Sequence, residues 1–171
     1  RLELGARGDP WPAVSRTITP YAAEEHPELF QAPSCEVNTL AIERTFWEKA
    51  TILHAEYHRP LGKGTAERVS RHYYDLAMIC RSEFADAALS TIDLLEVVAN
   101  HKALYFRSGW AGYDTAEPGT LRLTPPDSRL ADLKSDYAKM AQMFFGEPLP
   151  FDELMVMLAE LERRINQTSG S

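Results

Sequence analysis

The stretch that most constrains the fold is Glu43–Leu76, ERTFWEKATILHAEYHRPLGKGTAERVSRHYYDL. Two runs with helical spacing flank Pro60 and the Gly62-Lys63-Gly64 break, and a helix ends before the residue preceding a proline. The spacing predicts a first helix from Leu40 to His58 with Thr39 as its N-cap. At about 100° per residue, Ile42, Phe46, Leu53 and Tyr57 share one stripe, with Lys49 inside it and Glu43, Arg44, Glu48 and His54 off it. A second helix is predicted from Ala66 to Cys80, capped by Thr65. It puts Arg71 and Asp75 one turn apart, flanked by Tyr74 and Met78 on one edge and by His72 and Ile79 on the other. A lysine, an arginine and an aspartate therefore stand where a plain amphipathic helix would carry apolar side chains.

The rest of the chain reads as further helices and a little β structure. Leu2 and Leu4 alternate with Arg1, Glu3 and Gly5 as in a strand. A lone strand makes no sheet, so it pairs either with the candidate strand Cys35–Asn38 or with strands upstream. Arg16–Thr19 is a short extended piece, and Pro27 forbids a long helix through Tyr21–Phe30. Helices are predicted over Phe84–Leu89 and over Thr91–Phe106, the latter with Leu94, Val98, Ala99, Leu104 and Tyr105 inward. Ser108–Thr124 reads as a long loop with Trp110 and Tyr113 exposed. Leu130, Leu133, Tyr137, Met140 and Phe144 follow Pro126 at helical spacing, and a last helix from Asp152 turns Leu154, Met155, Leu158 and Leu161 inward. The class is mainly α with a small β element at the N-terminal edge. The domain division reads 1–38, 39–168, and a tail at 169–171.

Composition narrows the functions. The net charge of −7 argues against a surface that coats nucleic acid unspecifically. Glu43–Arg71 is nonetheless locally basic: Arg44, Lys49, Arg59, Lys63, Arg68 and Arg71 against Glu43, Glu48, Glu56 and Glu67. No apolar run approaches the roughly 18–20 residues of a membrane span. The two cysteines, Cys35 and Cys80, match no metal-ligand spacing and read as reduced, buried thiols of a cytoplasmic protein. The GKG of the break is no phosphate loop, since no strand precedes it and no Ser or Thr follows at the required spacing. His54 and His58 bracket Glu56 in the wrong order for H-E-x-x-H, and nothing supplies a third ligand. No nucleophile motif is present, and His72 between Arg71 and two tyrosines reads as a core or rim histidine.

Each remaining candidate has an ordinary use and a chemical one. Lys49 either snorkels from the edge of its stripe or sets a compact ammonium against phosphate. Arg71 and Asp75 either form a helix-surface pair contributing about 0.3–0.5 kcal/mol or serve a phosphate and a catalytic group. Glu3 is either an exposed strand residue or a strand carboxylate that helps hold divalent metal in phosphoryl or nucleotidyl transfer.

Together, ERTFWEKATILHAEYHRP and RVSRHYYDL resemble the C-terminal half of AbiEii/AbiGii-type nucleotidyltransferase toxins, a branch of the polymerase-β-like nucleotidyltransferases. RLELGARGDPWP and ITPYAAEEHPELF add to a likeness that is strongest over residues 1–80. The resemblance implies a remnant of the family's palm over 1–38 ahead of a helical domain. It implies a type IV toxin–antitoxin component with a cognate antitoxin. Its chemistry would be transfer of a nucleoside monophosphate from a nucleoside triphosphate (NTP), with Mg²⁺, to an acceptor that in some members is the 3′ end of tRNA. By position, Lys49 matches a catalytic lysine on the nucleotide phosphates, Arg71 and Asp75 match the arginine and aspartate of an R-x-x-Y-D-L-like element, and Glu3 matches a third strand carboxylate at the metal. The family's D-x-D pair is absent from these residues, so the chain is expected to be a fragment inactive by itself. The rival reading is a non-catalytic helical module that binds an antitoxin or RNA through the Lys49–Arg71 region and the Ser108–Thr124 loop.

Overall fold

The computed structural model describes residues 7–144 and 146–168. The predicted strand at Leu2–Leu4, with Glu3, lies outside them. Two strands, β1 (Ala13–Ile18) and β2 (Cys35–Leu40), pair antiparallel with Ala13 opposite Leu40 and Ile18 opposite Cys35. Between them come a short helix α1 (Tyr21–Glu25) and a 3₁₀ turn at Pro27–Leu29, as the proline at position 27 demands. Then follow α2 (Ile42–Tyr57), α3 (Ser70–Cys80), α4 (Ala85–Ser90), α5 (Asp93–Tyr105), α6 (Asp127–Lys139) and α7 (Phe151–Gln167). The class is mainly α with a small two-stranded sheet, as the sequence predicts.

The hairpin is exposed on both faces, with Val14, Ile18, Val37 and Leu40 all open to solvent. An uncovered two-stranded ribbon gains little from burial, so polar links hold it. Glu36 accepts hydrogen bonds from Ser15 Oγ at 2.6 Å and from Thr17 Oγ1. Ala41 N donates to Pro12 O at 3.0 Å and carries the ladder into α2. Thr39 is occupied in the same way: its hydroxyl donates to Val14 O at 3.2 Å. It is therefore a ladder residue and not the predicted cap, and Ala41 precedes α2 with no side-chain cap.

The predicted stripe of α2 is only part of what it buries. Phe46 and Leu53 of the stripe are fully enclosed, but so are Arg44 and His54, predicted off it, and Trp47, Ala50 and Thr51. The reason is position: α2 packs on α3, α4 and α5 at once, so nearly every face finds a neighbour. Trp47 meets Phe46 edge-on at 4.8 Å and donates to Thr91 Oγ1 at 3.3 Å. On α7 the spacing reads correctly, with Phe151, Leu154, Leu158, Leu161 and Ile165 buried along one face. On α5 it holds for Leu94, Val98 and Ala99 and fails at the helix end: Leu104 and Tyr105 are exposed, while Leu95 and Lys102 are buried.

The second predicted helix starts one turn late. Arg68 is in the left-handed region at φ 59°, which costs a non-glycine residue about 1 kcal/mol. A carboxylate on another helix holds it there and caps α3 in place of Thr65. Asp136 of α6 accepts Arg68 N at 2.8 Å, Ser70 N at 2.9 Å and Ser70 Oγ at 2.5 Å. Burial raises the Asp136 carboxyl, and the hydrogen bonds from Ser70 and Arg68 outweigh it and hold the group below its ordinary value. Asp136→Ala is expected to destabilise the protein by about 2 kcal/mol at neutral pH, from the lost cap and two orphaned N–H groups. A depressed carboxyl stabilises above its unfolded pKa and stops doing so as pH falls through its folded one. The gap in thermal unfolding between wild type and variant should thus close below the ordinary carboxylate range. A gap that stayed constant into acid would exclude the ionised cap.

Candidate site at the α2–α3 face

Lys49 leaves the middle of α2 toward α3, where Asp75 and His72 stand one turn apart. Its ammonium donates to Asp75 Oδ2 at 2.7 Å and lies 3.3 Å from His72 Nδ1. The side chain is 21% exposed and that of Asp75 41%, so the pair is held in place yet reachable from solvent. Lys49 is thus a paired lysine, not one snorkelling free. Burial, Lys49 and Arg71 push the His72 imidazole down to about 4. At neutral pH the ring is uncharged, and its Nδ1 faces an ammonium that can only donate, so it accepts that hydrogen bond.

Arg71 is on the same turn of α3, exposed, and its guanidinium makes no hydrogen bond or ion pair among the described residues. The expected Arg71–Asp75 helix pair is not formed. Asp75 turns to Lys49 across the helix interface, since the half-buried ammonium is the closer partner. Of the predicted site residues, the fold thus brings Lys49 and Asp75 together, with the Arg71 guanidinium beside them and without a partner among the described residues, while Glu3 lies outside those residues.

Behind Lys49 is a charged group that the sequence reading places off the stripe. The fully buried Arg44 guanidinium donates to Asp9 Oδ2 at 3.0 Å, to Trp11 O at 3.0 Å and to Glu48 Oε1 from Nε at 3.1 Å and Nη2 at 3.0 Å. Lys102 of α5 reaches the same glutamate, at 3.0 Å from Oε2 and 3.0 Å from the Glu48 carbonyl. Burial lowers the Lys102 ammonium pKa, and Glu48 works against that shift. One carboxylate thus bridges two buried cations on the residue before Lys49. Arg44 and Glu48 at i,i+4 are the signal that could have found this network, had α2 been recognised as buried all round.

The histidines of α2 do structural work. His54 Nε2 donates to Gly112 O at 2.8 Å, and its Nδ1 accepts Arg122 N–H at 3.0 Å. Burial pushes its pKa down, so the neutral ring spends both nitrogens on the loop 106–126. Gly112 is left-handed at φ +61°, and a Cβ there would stand 2.7 Å from His58 Cδ2. Glu162 and Asn166 of α7 tie down the loop's far end at Leu123, Thr124 and Leu121. Trp110 and Tyr113 are half-buried, not exposed as predicted, and Arg59 covers Trp110 at 4.7 Å. Of the cysteines predicted to be buried, Cys35 is exposed; both are free thiols. Among the described residues, no three His, Cys, Asp or Glu side chains gather closely enough to hold a metal ion.

The family model of the nucleotidyl transferase AbiEii toxins of type IV toxin–antitoxin systems matches residues 1–156 of the 171. The chain belongs to that family. The match runs far past residue 80, through the loop and into α7, so the pinned loop and the buried network are part of the family's extent. No curated protein and no solved structure matches the chain. As an AbiEii member, it comes from a class of toxins that act opposite a cognate antitoxin. No helix among the described residues is long and apolar enough to cross a membrane.

The network makes a stability prediction separate from the chemistry. Glu48→Leu should cost about 3 kcal/mol or more, because Arg44 and Lys102 lose their shared anion in a dry site. Adding Lys102→Met should recover part of that loss. Urea denaturation measures both, and a Glu48→Leu variant within about 0.5 kcal/mol of wild type would contradict a shared buried anion.

Proposed function

We propose that this AbiEii chain carries the cationic wall of a nucleotidyltransferase site, with Lys49 on the phosphates of a nucleoside triphosphate, Arg71 as a second phosphate cation and Asp75 holding the lysine. The observation that supports this is the 2.7 Å Lys49–Asp75 contact at a reachable surface, with the exposed Arg71 beside it, its guanidinium without a partner among the described residues. A lysine serving only packing has no need of a carboxylate held 41% exposed. In the transfer, an acceptor oxygen attacks the α-phosphorus, the bond from that phosphorus to the bridging oxygen breaks, and pyrophosphate leaves. The charge on the phosphates is what positioned cations neutralise. The acceptor we propose is RNA, the tRNA 3′ end by family likeness, in the cytoplasm with the antitoxin.

Nucleotidyl transferases of this kind depend on an NTP and a divalent metal, here proposed as Mg²⁺. The described residues offer no donor set for that ion, and the 171 residues contain no D-x-D pair. We therefore assign no step of metal chemistry to them, and we infer that these residues alone do not complete the transfer. Glu3 stays a proposal for a metal carboxylate.

Calorimetric titration of the 171-residue chain with ATP tests the reading. Lys49→Ala should weaken binding about tenfold or more, the size of a lost charge-assisted hydrogen bond, and Arg71→Ala less. Equal affinity in Lys49→Ala and wild type would remove the phosphate role.

A further inference from the structure

Lys49 has two partners, and one of them is not a carboxylate. Asp75 accepts a hydrogen bond from the ammonium at 2.7 Å, and the Nδ1 of His72 stands 3.3 Å from the same nitrogen. An ammonium has three N–H donors, so these two contacts fix its direction and leave one donor to point elsewhere. The charged groups that face the imidazole are Lys49 from α2, Arg71 and Asp75 from its own helix α3, and Lys102 from α5. Three cations against one carboxylate surround a half-buried ring. A ring in that setting stays neutral, with its proton on Nε2 and a lone pair on Nδ1 toward Lys49. A carboxylate at the same place would hold the lysine equally well, but it would cancel the charge that a phosphate is to meet.

We propose that His72 is a positioning residue that aims the Lys49 ammonium at a phosphate by accepting a hydrogen bond from it without adding negative charge. The proposal rests on the phosphate reading of Lys49 and deepens it. Asp75 supplies attraction and His72 supplies direction, so the lysine rotor is ordered before the ligand arrives and binding loses less of its freedom. Arg71, exposed and without a partner among the described residues, completes a face that has a cation to spare.

The test uses the full 171-residue chain, inorganic triphosphate as the ligand, and ¹⁵N-histidine NMR. In wild type at pH 7 the His72 ring should carry its proton on Nε2 and none on Nδ1. This readout requires no variant, and a proton on Nδ1 overturns the proposal directly. In calorimetry, His72→Phe should bind triphosphate about tenfold more weakly, for the lost acceptor. His72→Asn, which restores an acceptor, should return to within about threefold. His72→Asp should remain weak, because its carboxylate neutralises Lys49. A His72→Phe variant that binds as wild type while Lys49→Ala does not would overturn the role of His72 and leave the phosphate reading standing. Equal binding by wild type and Lys49→Ala would overturn the phosphate reading, and the His72 proposal with it.

Discussion

The burial of one guanidinium organises this protein. Arg44 is wholly removed from solvent, and a buried cation persists only where anions and carbonyls surround it. Meeting that demand brings three separate parts of the chain to one place: Asp9 and Trp11 from the segment ahead of the hairpin, Glu48 from the next turn of α2, and Lys102 from α5, attracted by the same glutamate. Once those parts converge, α2 is fixed in rotation. The residue after Glu48 must leave on the adjacent face, toward α3. Lys49 meets Asp75 and His72 because Arg44 and Glu48 already hold the other side.

The two charged groups on α2 differ in what they can do. In the Arg44–Glu48–Lys102 network the two cations are buried and meet their acceptors inside the protein, so the network specifies geometry. The Lys49–Asp75–His72 group lies at the rim, with part of the carboxylate in water and the exposed Arg71 alongside. Nucleotidyl transfer asks mainly for fixed charge near phosphate, and only the second group has it within reach. The AbiEii family match spans both groups.

Much of this was legible in the sequence, and the omissions have physical causes. The helices could be placed because proline and apolar spacing limit them, and Lys49 stood out because a cation interrupts an apolar stripe. A stripe, however, assumes one neighbour. It therefore left Arg44 and His54 off the stripe, when the segment at Asp9 and Trp11 and the loop 106–126 meet them. Arg71 and Asp75 looked paired because only local spacing is visible along a sequence. The actual partner of Asp75 is 26 residues away. The cap of α3 was missed for the same reason, since Asp136 reaches Ser70 from 66 residues on. Asp9 offered no signal at all, because its value depends on a guanidinium that the pattern placed outside.

The most direct measurement is chemical. An acyl-phosphate derivative of ATP transfers its acyl group to lysines lying beside the bound phosphates. Incubated with the chain and mapped by peptide mass spectrometry, it should modify Lys49 in preference to Lys63, Lys134 and Lys139, and excess inorganic triphosphate should suppress that modification. Labelling that spreads over the exposed lysines and spares Lys49, or that triphosphate leaves unchanged, would contradict the account.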